Sequence, residues 1–213
     1  MLTLVIGNKN LSTWSLRPWL VLKHLGLAFE EVKLTLDTPQ FKSEIARYGA
    51  AGRVPVLRDG EITVWDSLAI IEYASEKCQG KGWPADRGQR AHARAISAEM
   101  HSGFGALREC WPMKAAEQDK GRPLTPAAAN DVKRIEQIWL ECRRQYGSRG
   151  PWLFGEYSSA DAMYAPVVLR FNTYGAALSA VANAYVQQTL NDAHLREWLA
   201  EAKQELTSAA GSK

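Results

Sequence analysis

Two short stretches in the first third of the chain carry polar side chains at spacings that could serve chemistry. One stretch reads LSTWSLR from Leu11 to Arg17 and contains three hydroxyl groups. The other is the pair Asp66-Ser67, which opens a run with apolar residues at helical spacing. Because a helix N-terminus has free N–H groups and the positive end of the macrodipole, Ser67 is placed to help bind an anion such as a carboxylate.

The stretch from Arg53 to Cys78 predicts a strand pair and a helix that together form a ligand cradle. The run VPVL at 54–57 has strand composition, and Pro55 restricts it to a strand start, an edge or a cis bend. Asp59-Gly60 predicts a tight hairpin with both residues at positive φ. The alternating run at 61–65 then predicts the returning strand.

The Val54-Pro55 signature with Leu57, followed by an acid-serine pair at a helix start, resembles the glutathione transferase family. In that family the proline is cis, and the residue before it, here Val54, pairs its backbone with the cysteinyl part of glutathione. The acid and serine, here Asp66 and Ser67, hold the γ-glutamyl amino and carboxylate groups. The resemblance covers the whole chain and implies that glutathione is the co-substrate.

The resemblance also implies a thiolate donor in the loop before the first helix. The family uses Tyr, Ser or Cys there, but this chain has no Tyr before Tyr48 and no Cys before Cys78, so a hydroxyl donor remains. The run STWSLR resembles the zeta-class pattern S-S-C-S-x-R, whose first serine is the donor and corresponds to Ser12. Thr13 is the second candidate.

Trp14, Arg17 and Lys42 complete the expected site, whereas Ser15 has a structural role. Trp14 replaces the cysteine of the zeta pattern, so substrate preference does not follow from the resemblance. Arg17 either adds positive potential at the helix start or forms a surface ion pair. Lys42 lies where family members place a basic or amide group near the glycyl carboxylate. Ser15 is expected to cap the first helix.

The second substrate is expected to be a small hydrophobic electrophile bound between two domains, against a helix with Phe104, Leu107 and Trp111. At helical spacing these three residues are more typical of core than of pocket. The implied function is transfer of the glutathione thiolate to that electrophile. Two alternatives stay open: a cis-trans isomerase of the maleylacetoacetate isomerase type, and a non-catalytic binding module with the same fold.

The elements that position these residues predict a glutathione transferase fold, an α/β thioredoxin-like domain followed by an all-α domain. Residues 1–79 form the predicted glutathione-binding domain, with a βαβ unit before the hairpin and its helix. Residues 80–86 are rich in Gly and Pro and form the predicted linker. Residues 87–213 form the helical domain.

Three helices stand out in the helical domain. They are expected over 89–110 and over 126–146, and after a capping box from Ser158 to Asp161. Asp192 is expected to cap a last helix.

Composition excludes several classes of protein. The 213 residues are 46% hydrophobic and 23% charged, as in ordinary globular proteins, and the net charge of +3 comes without a Lys/Arg block that would indicate nucleic acid or a membrane surface. The N-terminus has no signal-peptide pattern, so a cytoplasmic location is expected. Three widely spaced cysteines indicate neither disulfides nor a metal site. The family resemblance implies a homodimer.

Overall fold

The computed structural model describes residues 1–210, with side chains as far as residue 208. The first part of the chain contains, in order, β1 (Leu2–Gly7), α1 (Thr13–His24), β2 (Phe29–Leu34), α2 (Phe41–Ile45), β3 (Val56–Asp59), β4 (Ile62–Trp65) and α3 (Ser67–Lys77). The sheet order is β2-β1-β3-β4, in which β1 pairs parallel with β2 and antiparallel with β3. This confirms the thioredoxin-like arrangement.

The central strand β1 is covered on both faces. Leu4 and Ile6 are fully buried in the large core that contains α1 and α3, whereas Val5 points to a second cluster with Leu34 and Ile45. Successive side chains of a strand point to opposite faces, so a strand with helices on both sides needs a continuous apolar run. The LTLVI run of β1 meets that need.

The hairpin differs from the sequence prediction by one residue. Asp59 pairs with Ile62, so the two turn residues are Gly60 and Glu61, and of the expected pair only Gly60 has a positive φ, at 60°. Asp59 stays in β3, where its carboxylate accepts hydrogen bonds from the Tyr73 hydroxyl and from the Lys77 ammonium of α3. The expected positive φ at Asp59 is therefore wrong.

The first helix begins earlier than the sequence predicted. Ser12, not Ser15, is the N-cap residue of α1, and the Ser15 hydroxyl lies inside the first turn, where it accepts a hydrogen bond from the Gly7 N–H at 3.1 Å. The expected capping role of Ser15 is wrong because its oxygen binds the end of β1 instead. Gly26, with φ 67°, follows the helix end.

The regular structure in the rest of the described chain is helical, apart from isolated bridges between residues 152 and 156. It contains α4 (Arg87–Ser102), α5 (Gly105–Cys110), α6 (Pro126–Tyr146), a 3-10 turn (Gly147–Arg149), α7 (Ser159–Tyr174), α8 (Ala180–Leu190) and α9 (Ala193–Ala210). The expected single helix over 89–110 is broken into two, since Gly103 is extended and Phe104 has a φ of 63°. Residues 211–213 of the expected helical domain lie outside the described residues.

The helices α1 and α7 join the sheet to the helical layer. Helix α7, which starts with the expected Ser158–Asp161 capping box, is buried along almost all of its length and packs on α1 and α4. Two hydrogen bonds cross between α1 and α7: the Arg17 Nε donates to the Met163 carbonyl at 3.1 Å, and an Arg170 Nη donates to the Thr13 hydroxyl at 3.2 Å. The first turns of α1 are therefore fixed against the helical layer.

Candidate active site

A cavity of about 540 Å³ lies between the loop before β3, the start of α3 and the end of α4. Its walls are formed by Trp14, Ala51, Arg53, Val54, Pro55, Trp65, Asp66, Ser67 and His101. Five of the residues predicted from the sequence thus share one cavity. A volume of this size is in the range of small-molecule sites.

The Val54-Pro55 peptide bond is cis, as the family resemblance implied. The paired segment of β3 starts only at Val56, so Val54 lies just outside the sheet ladder and on the cavity wall. A residue in this position can offer its backbone N–H and C=O to an extended ligand that adds to the sheet edge.

The Asp66-Ser67 pair forms the start of α3. Asp66 is the N-cap residue with an unusual φ of 73°. Its Oδ1 accepts from the Leu68 N–H at 2.8 Å, and its Oδ2 lies 3.1 Å from the His101 Nε2. Ser67 is only 1% exposed, and its hydroxyl has no hydrogen-bond partner among residues 1–210. Because buried polar groups are normally paired, this hydroxyl and the helix N-terminus fit a ligand carboxylate.

The loop before α1, where the thiolate donor is expected, is more enclosed than the Asp66-Ser67 pair. Ser12 is buried and does not line the cavity, and its hydroxyl lies 2.7 Å from the Ser15 hydroxyl. The Ser15 oxygen also accepts from the Gly7 N–H. A hydroxyl hydrogen rotates to suit its partners, so Ser15 can donate to Ser12 and leave the Ser12 hydrogen free for another acceptor.

Thr13 is engaged on the other side of the loop. Its hydroxyl oxygen accepts from Arg170, and the residue is buried without lining the cavity. Trp14 lines the cavity, and its ring contacts the His101 ring edge-on, with centroids 5.2 Å apart. The side chains of Ser12, Thr13 and Trp14 therefore point in different directions.

Arg17 is fully buried and stacks on the Trp14 ring, with its Cζ 4.3 Å from the ring centroid. It forms no ion pair within the described part of the chain, so the expectation of a surface ion pair is wrong, and added positive potential remains the alternative. Burial first, and then repulsion by Arg108 and Arg170, holds the pKa of Arg17 well below its usual range.

The cation nearest the cis-proline loop is not the expected one. Lys42 is exposed on α2 and is not part of the cavity wall, whereas Arg53 lines the cavity directly before Val54. Sequence reasoning missed Arg53, although its place before the VP signature could have indicated it. It also missed Trp65, and it missed His101, whose approach from the end of α4 no local pattern indicates.

The residues expected near the electrophile belong to the core. Phe104, Leu107 and Trp111 are 8%, 1% and 3% exposed, and none of them lines the cavity. The Trp111 indole N–H donates to the Arg122 carbonyl, and its ring stacks on Tyr174. This is the core role that their helical spacing favoured.

Other kinds of site are not found in the described residues. Residues 1–210 contain no group of three His, Cys, Asp or Glu side chains arranged to hold a metal ion. No helix in this part of the chain is both long and apolar enough to cross a membrane.

Comparison with solved structures shows the same architecture along the chain. A glutathione transferase homologue from Burkholderia, solved with bound glutathione, superposes with a TM-score of 0.70 over 95% of this chain and 98% of that one, at 24% identity. An Omega glutathione transferase from Trametes versicolor superposes with a TM-score of 0.71 over 99% and 96%, at 17% identity. These likenesses establish the fold.

Sequence comparison identifies proteins that are related to this chain. Residues 11–77 match the model of the glutathione S-transferase N-terminal domain. Dichloromethane dehalogenase from Methylorubrum extorquens is 32% identical over 56% of this chain, and maleylacetoacetate isomerase from Rattus norvegicus is 29% identical over 78% of this chain and 76% of its own length. The chain spans 47% and 27% of the length of two dichloromethane dehalogenases that it matches. Residues 11–77 therefore belong to the glutathione S-transferase N-terminal domain family, and the described chain has the fold of the glutathione transferases.

Proposed function

We propose that the protein is a glutathione transferase that adds the glutathione thiolate to a small electrophile. The observation that carries the proposal is the unpartnered, buried hydroxyl of Ser67 at the N-terminus of α3, in one cavity with Asp66 and the cis Val54-Pro55 bond. If each of these features had only a structural role of its own, there would be no reason for all of them to lie on the wall of one cavity.

Glutathione in this cavity would be held at four points. Val54 pairs with the cysteinyl backbone, Asp66 accepts from the γ-glutamyl ammonium, and Ser67 with the N–H groups of α3 binds the γ-glutamyl carboxylate. Arg53 on the cavity wall is better placed than the exposed Lys42 to pair with the glycyl carboxylate. These contacts fix the peptide and leave its thiol toward the loop before α1.

Ser12 is the proposed thiolate donor. Lowering a thiol pKa by about two units requires about 2.7 kcal/mol of preferential thiolate stabilisation. One charge-assisted hydrogen bond contributes roughly 1.5–3 kcal/mol, and a helix N-terminus about 0.3–1 kcal/mol, so the two suffice without a general base. The Ser15 oxygen accepts from both the Gly7 N–H and the Ser12 hydroxyl, so Ser12 acts once Ser15 donates to it instead and its own hydrogen turns to the thiolate. The buried charge of Arg17 adds positive potential.

A glutathione-dependent isomerase is the second candidate. The match to maleylacetoacetate isomerase extends over 78% of this chain, further than the match to dichloromethane dehalogenase. Both reactions start with thiolate addition. They differ in whether glutathione stays on the product or leaves again.

A second copy of the chain is the proposed macromolecular partner. Ile62 and Trp65 on the edge strand β4 are each 52% exposed, and an exposed sheet edge with large apolar side chains can pair with another chain. A homodimer would cover them. Sedimentation should therefore show a dimer at micromolar concentration, and a Trp65→Lys variant should shift it toward monomer.

The test of function is a panel of glutathione reactions. We expect the purified chain to accelerate conjugation of glutathione with activated aryl halides or haloalkanes, or to isomerise maleylacetoacetate without consuming glutathione. Glutathione should bind with an affinity that Ser67→Ala lowers. No glutathione binding by calorimetry, together with no turnover on any panel member, would refute the proposal.

A further inference from the structure

A second cavity, of about 330 Å³, lies between the end of α1, the segment at 81–82 and the start of α7. The polar side chains on its wall are His24, Lys81, Tyr157 and Ser159. It shares no wall residue with the candidate active site. A ligand in this second cavity would therefore bind independently of the proposed glutathione site.

The start of α7 repeats the arrangement at the start of α3. In each helix a capping residue is followed by a serine that is 1% exposed, Ser67 in α3 and Ser159 in α7. Neither hydroxyl has a hydrogen-bond partner in the described chain, and each serine lines a cavity at the positive end of its helix. Because buried hydroxyl groups are normally paired, Ser159, like Ser67, fits an oxygen atom of an anionic ligand.

Gly82 leaves space beside the Ser159 hydroxyl. The Gly82 carbonyl accepts from the Ser159 N–H at 2.6 Å, which holds this segment against the start of α7. A Cβ at position 82 would lie 3.1 Å from the Ser159 Oγ, and the φ of 94° at Gly82 is one that residues with a side chain rarely adopt. Gly82 is itself on the wall of the second cavity, so the Ser159 hydroxyl faces that cavity.

The charges around the second cavity favour a ligand with a single negative charge. Lys81 is exposed on the wall and forms no ion pair within residues 1–210. Asp161 and Asp192 are the acidic groups that act on Tyr157. Asp161 already accepts four hydrogen bonds, and the Asp192 Oδ2 lies 3.0 Å from the His24 Nε2. These carboxylates repel a singly charged ligand less than a doubly charged one.

Tyr157 provides a second hydroxyl without a hydrogen-bond partner in the described chain, and this hydroxyl is buried. Burial first, and then Asp161 and Asp192, holds the pKa of Tyr157 well above its usual range. The hydroxyl therefore keeps its hydrogen and can donate it. Val21 and Leu25 of α1 form the apolar part of the wall. Two hydroxyl donors and a cation beside apolar side chains suit a small organic acid.

We propose that the second cavity is a binding site for a small monocarboxylic acid that is not a substrate of the transferase reaction. The carboxylate would accept hydrogen bonds from the Ser159 and Tyr157 hydroxyls at the N-terminus of α7, close to Lys81. The apolar part of the acid would pack against Val21 and Leu25. Because the ligand would contact α1, the segment at 81–82 and α7 together, its binding should raise the melting temperature.

An NMR titration of the full chain tests this site with isobutyrate and with its neutral analogue isobutyramide. A Ser67→Ala background weakens anion binding at the start of α3, so that the second cavity is observed by itself. We expect isobutyrate to shift the amide signals of Gly82 and Ser159 and to bind about tenfold more tightly than isobutyramide. Equal affinities of the two probes, or shifts confined to the candidate active site, would overturn the proposal. Phosphate that bound more tightly than isobutyrate would contradict the single charge of the ligand.

Variants assign the binding to the start of α7. Ser159→Ala should weaken isobutyrate binding by about tenfold and leave the melting temperature of the free protein within about 2 °C, because the hydroxyl that it removes has no partner in the fold. Lys81→Met should weaken binding by about threefold. The matched control is Lys42→Met, since Lys42 is an exposed lysine outside both cavities. Unchanged isobutyrate binding in Ser159→Ala would refute the assignment, and it would leave the proposed glutathione site untouched.

Discussion

The two ends of the proposed glutathione site differ in whether their hydroxyl groups are free to bind a ligand. At the Asp66-Ser67 end, a buried hydroxyl without a partner and the N-terminus of α3 already face the cavity. At the other end, Ser12 is buried and its hydroxyl is occupied by Ser15. One end is open to its ligand, whereas the other has to redirect a hydrogen before it can act.

This difference follows from what each end must do. A binding group is effective when it is fixed before the ligand arrives, since no ordering cost then reduces affinity. A thiolate donor acts on a charge that forms only when the thiol ionises, so its hydroxyl can be held by a neighbour until then. We therefore expect changes at Ser12 to affect turnover and changes at Asp66 to affect affinity.

The largest effect is expected for Ser12→Ala. Losing one charge-assisted hydrogen bond to the thiolate should raise the bound thiol's pKa and lower turnover near neutral pH by about a hundredfold, while glutathione affinity changes by less than about threefold. Absorbance of the bound thiolate against pH measures the first effect and calorimetry the second. Ser43→Ala, an exposed serine on α2, is the control. An unchanged titration would remove Ser12 from the mechanism.

Asp66→Asn should show the opposite pattern. Asn keeps the N-cap hydrogen bond to Leu68 but removes the charge, so glutathione affinity should fall by about tenfold while turnover at saturation stays within about threefold. Asp86→Asn is the matched control, because the Asp86 side chain also caps a helix, by accepting from the Gln89 N–H of α4, and is not part of this cavity. If Asp66→Asn changed saturated turnover and not affinity, the division of labour between the two ends would be wrong.

The same difference explains what the sequence could predict. Val54-Pro55 and Asp66-Ser67 act through local geometry, a cis bond and a helix start, and local geometry is encoded by neighbouring residues. The sequence does not locate the start of α1, because three hydroxyl residues within four positions can each cap a helix. Only the approach of Gly7 to Ser15 decides among them.

Residues that reach the site from the helical layer were not predictable. His101 meets Asp66 only because α4 packs on α7, and α7 in turn packs on α1. The convergence of Arg108 with Arg17 likewise depends on the break between α4 and α5 at Gly103. No local pattern in the sequence predicts that His101 lies close to Asp66 or that Arg108 lies close to Arg17. The fold class needed only the order of elements, so it was predictable.

Ser15→Ala is expected to change the bound thiol's pKa less than Ser12→Ala does. It leaves the buried Gly7 N–H without its acceptor, so the free energy of unfolding should fall by about 1–3 kcal/mol. The Ser12 hydroxyl also loses its orienting partner, so the bound thiol's pKa should rise, but by less than in Ser12→Ala. Urea unfolding and the thiolate titration measure the two effects. A larger pKa rise than in Ser12→Ala would make Ser15 the donor.

The smallest effect on turnover is expected for Thr13→Val, which keeps the shape of the side chain and removes its hydroxyl. Arg170 loses an acceptor, which should lower the free energy of unfolding by about 1 kcal/mol. Turnover should change by less than about threefold, because the Thr13 oxygen is directed to Arg170 and not to the cavity. Thiolate titrations of Thr13→Val and Ser12→Ala are compared side by side. If Thr13→Val moves the titration and Ser12→Ala leaves it in place, the donor is Thr13, and the alignment with the zeta-class pattern is shifted by one residue.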